Sequence, residues 1–290
     1  MAQDANQIQF RDEYIAGYEQ HRSMLLDTVV NEAVIKGNQA TFLVADSGDA
    51  DTVTRGANGL IPGRYDNLEQ KTATLTEQHD KSRKNSFNIF AGQSDQRRIM
   101  QETSYSVVNR RIDKDILGAL SIATPNTTIF PNDTVINAAT IAKGLAILGN
   151  SDVPYDGNVN CVISPVALAQ LQTSEHFNNG QYVTMKPLDG SNAAGQGNTQ
   201  WGFYKWMNVN FYVHPKLPWV GSDSGTDFIY MYHRNAIGCA VDIAGIDIKV
   251  GYNEENKYSF CTTSINIGTE VLQPSGIVEI PYDSRLSSIS

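Results

Sequence analysis

Apolar side chains recur at helical spacing along the thirty residues from Ser94 to Ala123. This spacing of three and four residues places one apolar set on a single helix face: Tyr105, Val108, Ile112, Ile116, Ala119 and Ala123. Asn109 and Asp113 fall on the other faces, Ser94 or Asp95 can cap the start, and Pro125 ends the pattern. The sequence predicts a helical rod of roughly 45 Å, which is long for a globular domain.

The remaining pattern combines two shorter helices with many strands. Asp133 can cap a helix from Thr134 to Leu148, and Ser164 with Pro165 can open a helix from Val166 to Gln172. Alternating or continuous apolar runs predict strands at Gln39–Val44, Asn158–Ile163, Asn208–Val213, Phe228–His233, Ile237–Val241, Ile246–Gly251, Tyr258–Ile267 and Ile277–Ile280. This order is typical of an α+β fold.

A long polar excursion separates the first strand from the long helix. Asp51–Asp66 is rich in glycine and has little to bury, and Lys71–Ile89 is polar on both faces of its predicted path. A segment of about fifty residues with so small a core is unusual in a compact monomer. We interpret it as a functional or intersubunit segment, the alternative being a flexible surface loop.

Charge and cysteine content narrow the possible functions. The formal net charge of −9 argues against a protein whose main task is to grip nucleic acid, since phosphate binding needs clustered cations. Charged residues make up only 18% of the chain, which is compatible with uncharged polar surface buried between subunits or with an ordinary neutral surface.

The three cysteines are odd in number and widely spaced, so we expect reduced, buried thiols. We find no secretory signal and no apolar stretch that could span a bilayer, so no membrane partner is expected.

No catalytic, cofactor or metal site is visible in the sequence. The histidines are scattered, and the spacings typical of zinc sites, serine hydrolases and phosphate-binding loops do not occur. An enzyme would need a site assembled by folding, for example around His79, His214 or His233. Two basic pairs lie on the long helix, Arg97–Arg98 and Arg110–Arg111, and they can face solvent, a neighbouring subunit or phosphate.

Several long segments resemble the major capsid proteins of tailed double-stranded DNA bacteriophages with the HK97-type fold. The matching segments are IQFRDEYIAGYEQHRSMLLDTVVNEAVIKGNQATFLVADSG, VTRGANGLIPGRYDNL, FNIFAGQSDQRRIMQ, NCVISPVALAQLQ, NNGQYVTMKPLDG, WGFYKWMNVNFYVHPKLP and TSINIGTEVLQPSGIVEIP. The resemblance covers essentially the whole chain and rests on element order as well as on local matches.

The resemblance implies a division of the chain into five segments. Residues 1–40 would form an N-terminal arm, 41–92 an extended β-hairpin loop, and 93–130 a peripheral domain built on the long spine helix. Residues 131–235 would form a mixed α/β axial domain, and 236–290 the closing strands of the peripheral domain.

The same resemblance implies which residues take part in assembly. The loop would reach over neighbouring subunits through its tip, and the spine arginines named above would lie at subunit contacts or at the shell interior. The tip residues are Thr54, Arg55, Asn58, Leu60, Ile61 and Arg64. Since one sequence must fit nearly equivalent positions in a shell, we expect glycine hinges at Gly37, Gly56, Gly59 and Gly92.

The implied function is structural. The chain would self-assemble as pentamers and hexamers into an icosahedral head around the phage DNA, in the host cytoplasm, and then reside in the virion. Partners would be a separate scaffolding protein, a portal protein and a possible cement or decoration protein, with packaged DNA nearby but held non-specifically and no cofactor. The alternative is a cellular nanocompartment (encapsulin-like) shell with the same fold.

Overall fold

A computed structural model describes most of the chain and confirms the α+β class. The described residues are 22–31, 33–46, 51–56, 58–59, 61, 63, 67–85, 96–123, 135–174, 203–217, 226–241 and 247–285. Their α-helices are α1 (Gln96–Ile122), α2 (Ala138–Asn150) and α3 (Pro165–Thr173). Their strands are β1 (Val34–Lys36), β2 (Gln39–Asp46), β3 (Asn67–Thr74), β4 (Thr76–Asn85), β5 (Val159–Ile163), β6 (Phe203–Trp206), β7 (Val209–Val213), β8 (Thr226–His233), β9 (Ile237–Val241), β10 (Asp247–Asn253), β11 (Tyr258–Val271) and β12 (Ile277–Asp283).

Helix α1 is the predicted long helix, with 27 residues and a length of about 40 Å. Val108, Ile112 and Ile116 are buried as expected, but the buried surface extends well beyond this stripe. Asn109 and Asp113, which the pattern places off the apolar stripe, are also buried. Asp113 is tolerated inside because it accepts a 2.6 Å hydrogen bond from the Ser23 hydroxyl, a partner ninety residues away that helix periodicity cannot reveal.

A five-stranded sheet in the order β12–β8–β5–β7–β6 carries the largest core. The β5–β7 pair is parallel and the other pairs are antiparallel, and every residue of β5 is buried. Helix α3 begins as predicted, since the Ser164 hydroxyl accepts the Ala167 N–H at 3.1 Å and Pro165 takes the first helical position.

Helix α2 starts later than predicted. Asn137, not Asp133, is its cap, and the Asn137 side chain accepts the Thr140 N–H at 2.9 Å. The preceding Ile136 N–H is bound at 3.1 Å by the side chain of buried Gln170, which also donates to the Asp283 carbonyl at 2.6 Å. Ile136 therefore lies in extended chain tied to α3 and β12, where a local capping rule predicted helix.

Two further sheets complete the fold. One has three strands in the order β1–β2–β3, and the other has four, in which β10, β11 and β4 are neighbours in that order and β9 also pairs with β11. The predicted strands at the C-terminal end are present with similar or slightly longer bounds, whereas β1, β3, β4 and β6 were not among the strands predicted from the apolar pattern. The polar return segment Lys71–Ile89 is ordered as strand through Asn85, because β4 pairs with ten consecutive residues of β11.

The chain divides into two compact units. Thr76–Asp113 and Val241–Ile267 belong to the first, while Met24–Leu75, Lys114–Ala240 and Gly268–Ser290 form the second. The five-segment division stays a prediction, and residues 1–21 of its arm lie outside the described residues. Among the described helices, none is both long and apolar enough to cross a membrane.

Candidate assembly surfaces

The hairpin formed by β2 and β3 is anchored through one face. Ala40 and Ala73 are paired across the strands, and they are buried with Phe42 against Ala240 and Leu272. The Phe42 ring lies on Gly238, where an added Cβ would stand 2.7 Å from ring carbons, so a larger residue would push the ring away. This face holds the hairpin to the rest of the second compact unit.

The opposite face of the same sheet leaves apolar side chains in water. Val34, Leu43 and Leu68 are 58%, 69% and 64% exposed. Leu68 pairs with Ala45, so it lies diagonally from Leu43 on the same face, within side-chain reach. Large exposed apolar side chains that cluster on one face of a hairpin mark an interaction surface. From the sequence, Phe42 and Leu43 are adjacent in a strand and must point to opposite faces, but which of the two is covered is decided only by packing.

The predicted loop tip is only partly described. Thr54, Arg55, Asn58 and Ile61 are exposed, Ile61 to 65%, whereas Leu60 and Arg64 lie outside the described residues. These four side chains are therefore available for contact, and their role in assembly stays a prediction.

Two of the predicted hinge glycines occupy backbone conformations that favour glycine. Gly37 has φ +64° in the turn between β1 and β2, and Gly59 has φ +75°. The Gly59 N–H donates to the Gly56 carbonyl at 2.8 Å, which closes a tight turn at the loop tip. Gly92 lies outside the described residues. Since a left-handed conformation explains a turn as well as a hinge, the hinge role stays a prediction.

The spine arginines differ in their surroundings. Arg98 is exposed and makes a 2.9 Å ion pair with Glu102 one turn along α1, while Arg110 and Arg111 are half-buried. The Arg97 side chain lies outside the described residues. An exposed pair such as Arg98–Glu102 contributes only a few tenths of a kcal/mol to helix stability, so its charge can be redirected to a partner at little cost.

The candidate histidines occupy separate surroundings with structural partners. His79 is exposed and lies 3.4 Å from Glu77, whereas His214 is buried and its Nδ1 accepts the Lys216 N–H at 3.1 Å. His233 is buried between the Asn235 N–H, which donates to Nδ1, and Asp156, 3.2 Å from Nε2. Within the described ranges no group of three or more His, Cys, Asp or Glu side chains could hold a metal ion.

The titratable groups with shifted pKa values near β5 and β8 have structural surroundings. Hydrogen bonds from the Asn158 N–H and side chain, with a contribution from His233, lower the pKa of Asp156 to about 2. Burial raises the pKa of the Cys161 thiol, and all three cysteines are reduced and buried, as the sequence predicted. A thiol held protonated in an apolar core is inert.

Comparisons with a family model and with solved structures both relate the chain to phage proteins. The family model described as "Phage capsid protein" matches residues 2–284. Among solved structures, the chain is similar to a capsid of Ralstonia phage GP4 (TM-score 0.72, 11% identity, 97% of this chain and 96% of that chain). It is also similar to a structure from Mycobacterium phage Che8 (0.68, 15%, 93% and 94%) and to the head structure of Helicobacter pylori bacteriophage KHP40 (0.66, 13%, 94% and 93%). No curated protein matches the chain.

Proposed function

Because the chain belongs to the phage capsid protein family, we propose that the open face of its β1–β2–β3 sheet and the loop beyond it hold neighbouring subunits together in the shell. The protein is a major capsid protein with the HK97-type fold, so its place is the virion and its role is structural. The nanocompartment alternative is not favoured, since the family model and the similar structures are those of phage capsids.

The observation that carries this proposal is the split between the two faces of the hairpin. One face is buried within the subunit by Phe42 and Ala73, and the other exposes Leu43 and Leu68. A monomer gains nothing from leaving two leucines about two-thirds exposed, whereas a shell subunit buries them against its neighbour and gains the free energy of their transfer from water. Repetition of one such contact over the whole shell makes weak contacts sufficient.

Further partners follow from the same role. We infer that the shell assembles with a separate scaffolding protein that sets its curvature and with a portal for entry of the genome, and that a decoration protein can bind outside. The acidic chain, with a net charge of −9, lies next to packaged DNA without gripping it, which leaves the genome free to exit. Assembly would take place in the host cytoplasm.

Removing the loop tip tests the proposal. Deleting Thr54–Asp66 should leave a folded subunit that no longer builds stable shells, because the hairpin retains its anchored face but loses its reach. Light scattering and electron microscopy of the purified protein measure assembly, and circular dichroism checks the fold. A matched variant replaces the same residues with a glycine-serine segment of equal length, and it separates loss of length from loss of contacts. Normal particles from both variants would refute the assignment.

A further inference from the structure

Two cationic side chains of the β10–β11–β4 sheet lie over aromatic rings. The Lys81 ammonium lies 5.0 Å from the centre of the Phe260 ring, and the Arg83 guanidinium carbon lies 5.2 Å from the centre of the Tyr258 ring. The two rings meet edge to face, 6.2 Å apart at 64°. Both cations remain exposed. We call these four side chains the cation array.

All three strands contribute to the geometry of the array. Gly251 of β10 pairs with Phe260 of β11, which pairs with Arg83 of β4. The Phe260 ring lies across the Gly251 backbone, since a Cβ added there would stand 2.5 Å from the ring. The glycine makes room for the ring, and the ring in turn supports the Lys81 ammonium. Cation–π contact and aromatic packing restrict both long side chains before any partner arrives, which lowers the entropy lost on binding.

An array of exposed cations held in place suits an anionic partner, and the chain carries a group of that charge. Glu254 and Glu255 are exposed in the turn between β10 and β11, and the Asn253 side chain closes this turn by accepting the Asn256 N–H at 2.9 Å. A tight turn continues the line of its strands, so these carboxylates are presented beyond the end of the sheet. Identical subunits with a net charge of −9 repel one another unless an acidic surface meets a basic one.

We propose that the Glu254–Glu255 turn of one copy docks on the cation array of a second copy. The planar Arg83 guanidinium offers paired donors that match a carboxylate, and Lys81 neutralises the second acid. Because donor and acceptor surfaces differ, the contact is head-to-tail and closes into a ring when repeated around a symmetry axis. This contact rests on the proposed shell function and adds a second, electrostatic interface to the apolar one.

Reversing the charges in a swap tests the contact. At about 50 mM salt, where the Debye length exceeds 10 Å, K81E/R83E should raise the protein concentration needed for shell formation by about tenfold or more, since like charges now meet. E254K/E255K should raise this concentration by a similar factor. The quadruple variant, which combines K81E/R83E with E254K/E255K, should need a concentration within about threefold of that of the original chain. K143E/K205E changes the net charge equally at exposed lysines outside the array, and it should leave assembly unchanged.

Each outcome separates the contact from the shell function itself. If the original chain builds shells and both reversed pairs do so equally well, the contact is wrong and the shell function stands. If the quadruple variant stays defective in assembly although circular dichroism shows a folded subunit, the Glu254–Glu255 turn is not the partner of the cation array. If K81E/R83E assembles normally but loses salt-dependent binding to a short DNA duplex, the cation array binds phosphate and the proposal fails. A chain that forms no shells under any condition would contradict the proposed function first.

Discussion

Replacing Leu43 and Leu68 with threonine should weaken shell assembly strongly while the subunit stays folded. The two side chains are 69% and 64% exposed in the subunit, on the open face of β2 and β3. Fully burying a leucine yields about 1.5–3 kcal/mol, so burying these exposed parts against a neighbour yields about 1–2 kcal/mol each. Losing both contributions removes about 2–4 kcal/mol per contact, which corresponds to about 30- to 800-fold in the concentration needed for assembly.

The assay measures light scattering against protein concentration, with electron microscopy to identify particles. Threonine is β-branched and therefore favourable in a strand, and substitutions at exposed positions change the free energy of unfolding by about 0.5 kcal/mol or less, so melting temperature should stay nearly constant. Gln70 provides the matched control, because it is exposed on the same face opposite Leu43 but is polar. Q70T should therefore assemble like the original chain.

Two results would refute the reasoning. Unchanged assembly of the double variant would mean that this face stays in water in the shell. Equal defects in Q70T and the leucine variant would mean that the face is sensitive to any change, and that the apolar contact is not the cause.

Two further predictions concern the stability of the second compact unit. Gln170→Leu should lower the free energy of unfolding by about 2–6 kcal/mol, because the buried Ile136 N–H and Asp283 carbonyl lose their partner. Gln172→Leu, on the exposed side of α3, is the control and should change the free energy of unfolding little. Thermal melts compare the two variants, and equal melting temperatures would contradict the role of Gln170. Asp156→Asn should remove a stabilisation that is complete above the ordinary pKa of 3.8 and is lost as the pH falls to about 2, since the folded state holds the carboxylate ionised. Because the side chain is 41% exposed, we expect less than about 1 kcal/mol at neutral pH, and unfolding curves between pH 5 and pH 2 should be flatter for the variant if the assignment is right.

The structure shows why some elements could be predicted from local patterns and others could not. The serine–proline start of α3 was correct because a cap acts within three residues of its own position. The start of α2 was wrong because Gln170, from a different helix, holds Ile136 in extended chain. The burial of Asp113 could not be predicted for the same kind of reason, since its partner Ser23 lies far away in sequence. Long-range hydrogen bonds thus explain both features that the local pattern did not reveal.

The assembly surfaces show the same distinction. The glycine-rich segment Asp51–Asp66 was singled out by its composition, the resemblance placed the loop tip within it, and the described tip side chains are exposed. The apolar face of the hairpin was missed, because the run QATFLV does not say which of its neighbours Phe42 and Leu43 is covered until the strand is packed. The cation array could not be seen at all, since Lys81, Phe260 and Gly251 come from three strands that only the sheet brings together.

The sequence by itself determined the α+β order, the long helix, most of the strands and, through its resemblance to a family, the structural role. These properties depend on periodicity and on residues close in the chain, where the physics of helices and strands acts over a few positions. Only the tertiary structure decided which apolar side chains remain in water and which cations are held in place, because burial and strand register depend on partners that are distant in sequence. Those are the properties from which shell contacts are made.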